Sequence, residues 1–455
     1  MEKIDLIFGS EAASYTNAKD IKVANNILEP YNKAILEAVN LGVDAEWILN
    51  SGNLNWIATA TQKSDSTLSA VYLSKIPYTS YALDGDTDNY NFLDGLEQRY
   101  GVDWYGDRGS REKILFNKLN DLGKSETKIF TQAVDEMKGY EYSNTQHRIK
   151  ETTDILSKEF EYLRKDWRNP SKQNNKIKVF GQKNEYKTDT AGIIDYTSNA
   201  YGVAYVHEDE TVKMGDSQGW YAGAVKNHFK FEDLGGSREN QIMIKAGLFK
   251  TMSPANDHNG SLRWTVAADM FGGIDEMKRR YWIVDDIFNA RSDYYSYGTS
   301  LKTELEYDIR LSERAHLRPY GALKMEYGKF TNIKEDDGEI RLKIDSNDYF
   351  SVKPEIGAEF KYIQPLALRT QLSVGLSAAF ENELGRLDDV NNKAKVRYTA
   401  ADWYNLRNEK ENKRGNGKFD LNIGLDNTRF GMTLNAGYDT NGKNIRSGIG
   451  FRAIY

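Results

Sequence analysis

Histidine is the side chain that proteins use most often for proton transfer and metal binding, and this chain has five. No pair has the HExxH spacing that places two imidazoles on one helix face, and no serine or aspartate is placed to complete a catalytic triad. The chain has no cysteine, so thiolate catalysis and Cys-ligated metals are excluded. The histidines are His147, His207, His228, His258 and His316. The sequence therefore predicts that the protein is not an enzyme and has no cofactor, and it disfavours a protease or a lipase.

Three aspartates have the alternate spacing with which a calcium-binding loop begins, Asp84, Asp86 and Asp88. Asn89 stands where such a loop needs its turn glycine, and Gly95 stands where it needs a glutamate that binds through both oxygens. We therefore expect residues 84–91 to form a polar loop rather than a metal site.

The end of the chain alternates in character with almost no error. Ile445, Ile449, Phe451, Ala453 and Tyr455 fall on one face of a strand, while polar residues or glycine occupy the alternate positions. Because successive strand side chains point to opposite sides, one face is apolar and the other is polar or small. A chain that ends inside such a strand, on an aromatic residue, suggests an outer-membrane β-barrel that closes on itself.

The composition permits such a barrel. The net charge of −6 does not suggest nucleic acid as a partner. A mean hydropathy of −0.68, without an apolar run of helix-spanning length, excludes transmembrane helices but not a barrel, whose apolar residues alternate with polar ones. From residue 176 the period of two continues for about twelve strands. The clearest lie near residues 299–307, 352–360, 371–380, 418–425 and 429–438, whereas near Trp220 the apolar face is ambiguous.

Two zones of different texture precede the barrel. Residues 1–108 are mixed, with a helical pattern near residues 24–41 and strand-like pieces further on. Residues 109–175 are helical in pattern, because apolar residues recur every three or four positions until Pro170. We therefore predict an all-β transmembrane barrel of about twelve antiparallel strands (176–455), preceded by a helical linker (109–175) and a mixed N-terminal piece (1–108). No signal peptide is visible at the start, so an exported protein would be a fragment or begin further upstream.

The predicted connections alternate between short and long. Short ones lie near residues 215–218, 311–315, 363–366 and 426–428, and long ones near 272–293, 328–348 and 384–417. Outer-membrane barrels have short periplasmic turns and longer outside loops, so the alternation places both ends of the barrel at the periplasmic rim. Two connections depart from the rule, a tight Asn-Gly turn outside (441–442) and a longer connection inside (252–260). A soluble β-sandwich also alternates, but its outward faces are polar and its connections need not alternate in length.

Aromatic residues fall at the two membrane interfaces that this orientation defines. The inner interface would have Tyr307, Phe360, Phe430 and Tyr455, and the outer one Tyr297, Tyr327, Phe380, Phe419 and Tyr438.

The predicted inward face is rich in glycine and in charges of both signs. The glycines allow two interpretations, which are curvature of the barrel wall and space for a segment inside the lumen, with the upstream helical zone as the candidate. They are Gly298, Gly357, Gly375, Gly424, Gly431, Gly437, Gly448 and Gly450. The charges favour a solvated lumen network over a catalytic cluster. They include Lys302, Glu304, Glu306, Lys353, Glu355, Glu359, Arg446 and Arg452.

From about Lys75 onward the sequence resembles the translocator end of type V autotransporters. The similarity is carried by the runs SKIPYTSY, FLDGLEQRYG, KVFGQKNEYKTDTAGIIDYTSNAYGVAYVHEDETVK, FKTMSPANDHNGSL, DVNNKAKVRYTAADW and NAGYDTNGKNIRSGIGFRAIY, which are similar to those of large surface adhesins of anaerobic Gram-negative bacteria. The resemblance implies a monomeric barrel inserted into outer-membrane lipid by the barrel-assembly machinery, which exports its own N-terminal passenger to the cell surface. Residues 1–108 would then be the C-terminal stub of that passenger.

The resemblance also implies roles for three segments. A helix at residues 151–168 would thread the lumen. The insertion signal would be residues 445–455, with Tyr455 as its final aromatic, although Ala453 is smaller than the bulky residue that is usual there. Some autotransporters cut off the passenger at an Asn-Asn pair, and Asn174-Asn175 is such a pair. It follows Pro170 and lacks the surrounding motif of that subgroup, which favours a polar helix stop over a cleavage site.

Three functions are consistent with these patterns. The first is an outer-membrane translocator for an adhesin passenger, and the second is a diffusion porin. The third is a soluble binding domain. A helix that leads into the first strand favours the translocator, because a porin has no reason for one.

Overall fold

The computed structural model describes residues 2–9, 18–43, 45–102, 107–166, 174–209, 216–256, 260–366, 369–387, 391–411, 414–427 and 429–454. Arg168, Pro170, His258 and Tyr455, which the sequence analysis names, lie outside these ranges.

A small N-terminal module and four helices precede the barrel. The module consists of β1 (Glu2–Phe8), β2 (Asp20–Lys22), α1 (Asn25–Asn40), β3 (Ala45–Ser51), β4 (Trp56–Gln62) and β5 (Leu68–Lys75). Strands β1 and β3 are parallel, β2, β5 and β4 form a second sheet, and α1 contributes Leu28 and Ile35 to the shared core. The helices are α2 (Thr87–Arg99), α3 (Asp107–Asn120), α4 (Thr127–Met137) and α5 (Thr145–Asp166).

One prediction for this part of the chain is wrong. Residues 84–91 do not form a loop throughout, because α2 begins at Thr87. Asp86 is its N-cap and accepts a hydrogen bond from the backbone N–H of Asn89, so this aspartate has a structural role. Among the described residues there is no group of histidine, cysteine and acidic side chains that could hold a metal ion.

Twelve antiparallel strands form a closed barrel. In chain order the remaining strands are β6 (Asn174–Tyr186), β7 (Tyr196–Asp209), β8 (Ser217–Phe231), β9 (Arg238–Asn256), β10 (Gly260–Ile283), β11 (Asp286–Arg310), β12 (Ala315–Phe330), β13 (Ile333–Gly338), β14 (Leu342–Ile344), β15 (Asp348–Pro365), β16 (Gln371–Asn382), β17 (Lys393–Val396), β18 (Tyr404–Asn405), β19 (Gly415–Asp426), β20 (Phe430–Asp439) and β21 (Asn444–Ile454). All except β13, β14, β17 and β18 belong to the barrel. The barrel closes where β21 pairs with β6, from Ile445 opposite Lys183 to Ile454 opposite Asn174.

The two faces of the wall differ as the alternation predicts. In β20, the outward side chains of Phe430, Met432 and Leu434 are exposed, whereas Thr433 and Asn435 face the interior and are buried. The described aromatic residues predicted for the interfaces all face outward. The wall therefore has an apolar surface for lipid and a polar interior, as membrane barrels have.

The structure resolves the ambiguity near Trp220. Trp220 faces outward and is 44% exposed, while Tyr221, Val225 and Phe229 on the opposite face are buried. Both faces of β8 are thus partly apolar, because its interior face contacts another apolar surface instead of water. That surface is on α5.

One end of the barrel has short connections and is called here the turn end, and the other is called the loop end. The prediction of a long loop at residues 272–293 is wrong, since β10 continues to Ile283 and β11 begins at Asp286. The outward residues Glu276, Lys278 and Arg280 are charged there, so the lipid-facing pattern stops while the strand continues. At the turn end, β9 continues to Asn256, which removes most of the longer connection expected at residues 252–260.

The wall rises further at the loop end on one side of the barrel. Strand β13 follows β12 in the chain and, like β12, pairs with β11. Strand β14 pairs with β13, β17 with β14, and β18 with β17. We call β13, β14, β17 and β18 the wall extension. Its inward face is apolar, with Ile333, Leu342, Ile344, Ala394 and Val396 buried.

Helix α2 packs against β17 and β18 of the wall extension, and α3 and α4 pack against β10; we call these three helices the cap. Gly95 of α2 lies against Val396, where an added Cβ would collide with the valine side chain. Buried Arg279 of β10 binds both oxygens of Glu335, at 2.7 and 2.9 Å, and donates to the carbonyl of Met137 at the end of α4. Cap, wall extension and barrel interior share one hydrophobic core.

The cap spans the predicted boundary at residue 108, because α2 belongs to the N-terminal piece (1–108) and α4 belongs to the predicted linker (109–175). Arg99 of α2 and Glu112 of α3 form a buried bidentate ion pair, with distances of 2.7 and 2.6 Å. Burial raises the pKa of Glu112, and the guanidinium of Arg99 opposes that change.

Among the described residues, no helix is both long enough and apolar enough to cross a membrane.

Candidate functional site

The lumen is occupied by α5, which has 22 residues. Near its start, Gln146 donates to Asn392 of the loop end at 2.7 Å, and near its end Lys165 pairs with Glu304 toward the turn end at 3.1 Å. A helix of this length extends about 33 Å, similar to the roughly 30 Å hydrocarbon core of a bilayer. The helix predicted at residues 151–168 thus begins earlier, at Thr145, and runs from the loop end to the turn end.

One side of α5 is apolar and packs on β8. The ring of Phe160 lies 4.4 Å from that of Tyr221, measured between centroids. A Cβ built on Gly223 would lie 3.0 Å from both Leu156 and Phe160, which is closer than ordinary van der Waals contact. Glycine at position 223 therefore lets the helix approach the wall.

Polar contacts of α5 flank this apolar side, and they begin near the loop end. Arg148 pairs with Glu239 of β9 at 2.7 Å, and both side chains are fully buried. Tyr294 donates to the same carboxylate at 2.8 Å. One turn further, Thr152 donates to Gln241 at 2.7 Å. Buried polar groups are thus paired across the interface of helix and wall.

Asp154 is the centre of the network halfway along the helix. Its carboxylate accepts from Lys150 of the same helix at 2.7 Å, from Lys353 of β15 at 2.9 Å, and from Lys324 of β12. Thr153 donates to Glu326 at 2.8 Å on the same side. One carboxylate on the helix therefore balances lysines from two neighbouring strands.

Further toward the turn end, charges of both signs on the helix meet opposite charges on the wall. Glu159 binds Lys178 of β6 at 2.6 Å, and Glu161 binds Lys302 of β11 at 2.7 Å. Lys158 pairs with Asp439. Tyr162 donates to Asp420, which also accepts from Arg446 at 2.5 Å.

The inward charges named from the sequence lie in or beside this network. Glu355 pairs with Lys418 at 2.8 Å, Glu359 with Arg318 at 3.3 Å, Glu306 with Arg263 at 3.9 Å, and Arg452 with Asp426. A cavity of about 150 Å³ remains on the charged side of α5, lined in part by Lys158, Lys353 and Glu381. A space of this size and polarity can hold several water molecules.

The structure places the predicted lumen glycines on the interior face of their strands. The nearest atoms to a Cβ built at Gly437 belong to Asp420 and Arg446, and the nearest at Gly448 belongs to Lys178. Gly298, Gly357, Gly375 and Gly424 are also bordered by residues of neighbouring strands, while Gly431 and Gly450 are buried on the same face. At Gly437 and Gly448, the space is used by the long side chains that bind Glu159 and Tyr162 of α5.

The strand predicted as the insertion signal is β21. Its outward residues Ile445, Ile449 and Phe451 are 61%, 42% and 49% exposed, and Ala453 is intermediate. The final aromatic, Tyr455, lies outside the described residues.

The Asn-Asn pair lies inside the first strand of the barrel. Asn174 is opposite Ile454 and Asn175 is opposite Ala453. The side-chain amide oxygen of Asn175 accepts from the hydroxyl of Tyr205 at 2.6 Å and contacts the imidazole of His207 at 2.9 Å. Both residues are therefore part of the ladder that closes the barrel, and the expectation of a polar helix stop at this pair is wrong, since α5 ends at Asp166.

Sequence reasoning missed two residues that fasten the helix to the wall, Arg148 and Asp154. The available signal was weak, because Asp154 is on the side of the helix opposite Leu156, whereas Arg148 is beside the apolar side. Their partners Glu239, Lys324 and Lys353 are far away in the chain, so the pairing itself has no local signal.

The fold and the occupied lumen together define a membrane-spanning β-barrel plugged by the helix that precedes it. Residues 176–438 match the family model "Autotransporter beta-domain", which is more than half of the chain. The protein therefore belongs to the autotransporter beta-domain family. Members of this family are outer-membrane proteins of Gram-negative bacteria, and the barrel is accordingly an outer-membrane translocator.

Several solved structures are similar in fold. The translocator domain of the autotransporter NalP from Neisseria meningitidis has 10% sequence identity and a TM-score of 0.49, covering 69% of this chain and 99% of that chain. The transport unit of the autotransporter AIDA-I from Escherichia coli has 11% identity and a TM-score of 0.47, covering 66% and 97%. The beta domain of the Bordetella autotransporter BrkA has 10% identity and a TM-score of 0.45, covering 63% and 100%. No curated protein matches the sequence significantly.

We expect Asp154→Asn to destabilise the plugged barrel, because three lysines lose their nearest carboxylate and keep only Glu326 or Glu381, at 3.7 to 3.9 Å. Removing one partner of a buried ion pair costs about 3 kcal/mol. The temperature at which the folded, faster-migrating form disappears on a heated gel should therefore fall.

Glu161→Gln is the matched control on the same helix. Its partner Lys302 keeps Glu304 at 2.8 Å, so the melting temperature should change much less. Equal effects of the two substitutions would contradict the central role of Asp154.

Proposed function

We propose that the barrel anchors and exports its own N-terminal passenger to the cell surface. The observation that supports this most directly is the direction of α5, which enters the lumen at the loop end and leaves it at the turn end. Everything before α5 therefore lies at the loop end, and β6 begins at the other. Long connections of outer-membrane barrels face the exterior, which supports a position of the N-terminal part of the chain outside the cell.

We propose residues 1–108 as the C-terminal stub of that passenger, and residues 109–175 as the linker that includes the lumen helix and whose last two residues begin β6. The ion pair of Arg99 with Glu112 fastens the end of the stub to the linker. This ion pair and the other contacts of the cap would hold the passenger at the loop end of the barrel.

Surface exposure can be tested with single cysteines, because the chain has none of its own. Leu83 before α2 is 77% exposed, and Leu366 at the turn end is 48% exposed. In intact cells, a membrane-impermeant maleimide should label Leu83→Cys and not Leu366→Cys. After the outer membrane is permeabilised, both should be labelled to a similar extent.

Labelling of Leu366→Cys but not Leu83→Cys in intact cells would contradict the proposed orientation. Labelling of neither would mean that the N-terminal part stays inside. We further propose that the assembly machinery inserts the barrel through β21. In cells depleted of that machinery, Leu83→Cys should remain unlabelled.

The alternative function is a diffusion porin, and conductance separates it from the translocator. We expect low single-channel conductance for the full chain and for residues 145–455, because α5 fills the lumen in both. A barrel of residues 174–455, from which α5 is removed, should conduct several times more.

The form of residues 145–455, which has α5 but lacks the cap, is the control that separates the effect of α5 from that of the cap. Equal conductance of all three forms would exclude the plugged translocator and favour the porin. Each form must first show the heat-dependent gel shift of a folded barrel.

We also propose that the passenger is an adhesin, on the basis of the sequence resemblance to large surface adhesins. Cells that display the barrel with its whole passenger should adhere to host-cell surfaces more than cells that display the barrel with residues 1–108 alone. Equal adhesion of both cell types, at equal surface amounts of barrel, would refute this part of the proposal.

A further inference from the structure

The outward face of the wall extension has a row of lysines. Lys334 of β13 is directly opposite Lys343 of β14, and Lys343 is directly opposite Lys395 of β17. Neighbouring strands are about 4.8 Å apart, so three like charges lie side by side across about 10 Å. Like charges placed directly opposite each other destabilise a sheet, which makes this row unexpected in a chain of net charge −6.

Two of the lysines lie beside one aromatic ring, and both acidic and basic residues surround the row. The ammonium groups of Lys343 and Lys395 lie 5.3 and 5.4 Å from the ring centre of Trp403. Among the described residues, Lys334, Lys343 and Lys395 have no carboxylate within ion-pair distance. Three outward acids lie near this row: Asp293 of β11 at the level of Lys334, Asp345 two residues beyond Lys343, and Asp336, which is paired with Arg397 at 2.7 Å. Arg341 and Lys393 are on the same outward face, so basic side chains outnumber acidic ones there and the surface has an excess of positive charge.

The inward and outward faces of the wall extension have different roles. Opposite residues of paired strands share a face, so Glu335 faces inward with Ser292, and Lys334 faces outward. The buried inward face is used by the cap. The lysine row is thus on the same side of the wall as the lipid-facing residues of the barrel.

The height of the row follows from the register. Lys334 precedes Glu335, which is opposite Ser292, so it lies at the level of Asp293 in β11. Tyr297 of the outer aromatic girdle lies four residues further along β11. At about 3.3 Å per residue and a strand tilt near 40°, the row is about 10 Å above that girdle. This is the layer of the headgroups and inner sugars of the outer leaflet.

We propose that Lys334, Lys343, Lys395 and Trp403 bind the phosphorylated saccharide headgroups of the outer-leaflet glycolipid that surrounds the barrel. Phosphates would balance the lysine row, and the indole of Trp403 is suited to an interface with both apolar and polar groups. The lateral direction and the height of the row favour a membrane lipid over a soluble polyanion. The inference uses the orientation proposed above, but the binding assay does not depend on it.

The test is a titration of the full chain in zwitterionic detergent with purified lipopolysaccharide, followed by calorimetry. Each lysine near an anionic membrane surface contributes about fivefold to affinity, so Lys334→Gln, Lys343→Gln and Lys395→Gln together should weaken binding about a hundredfold. Trp403→Leu alone should weaken it less. Lipopolysaccharide from which the phosphates have been removed should bind the wild-type protein weakly.

The matched control replaces three exposed lysines elsewhere, Lys33→Gln, Lys63→Gln and Lys128→Gln, which removes the same total charge. It should bind as the wild type does, and both triple variants should keep the heat-dependent gel shift. Equal binding by the patch variant and the wild type would overturn the proposal, and so would equal binding of the dephosphorylated lipid. Equally tight binding of heparin, a soluble sulfated polysaccharide, would overturn the assignment to a lipid.

Discussion

The pairing of β21 with β6 is the constraint on which the rest of the structure depends. In lipid, no water is available for backbone N–H and C=O groups, so the first and last strands of the wall must pair with each other. Asn174 and Ile454 meet at one end of this seam and Lys183 and Ile445 near the other. Because side chains alternate along both strands, a slip of one residue would turn Arg446 and Arg452 toward lipid. Closure and the separation of polar from apolar faces are therefore one requirement.

Closure creates a second problem, which α5 solves. Strand side chains fill a barrel of about eight strands, and a wider barrel leaves internal space. The helix fills that space with two unlike sides. Phe160 and Leu156 fit against Gly223 and Tyr221, while Arg148 and Asp154 meet charged residues of other strands. Both the rotation and the height of the helix are fixed, since a turned helix would place Asp154 against the apolar wall and leave buried lysines unpaired.

The sequence was sufficient to predict the barrel because lipid imposes a period of two, which β20 and β21 show residue by residue. The prediction of strands from this period was wrong or ambiguous where a strand does not separate lipid from water. The tip of the β10–β11 hairpin has charged outward residues such as Lys278 and Arg280, so a strand was interpreted as a loop. At Trp220 the interior partner is a helix instead of water, and the alternation became ambiguous. The cap was not predicted because its core joins Phe92 and Leu96 to Leu342 and Val396, which are about 250 or more residues away in the chain.

The shared core of cap and wall extension also bears on the order of assembly. One helix about 10–12 Å across fills the lumen, so the three packed helices of the cap cannot pass through it as a unit. In the proposed export, their chain reaches the loop end before α2, α3 and α4 pack together. The contacts of Gly95 with Val396 and of Met137 with Arg279 need residues of the completed barrel. In the proposed orientation, these contacts form only outside the cell. Their free energy then opposes the return of the chain through the lumen, and it holds α5 in place as the final plug.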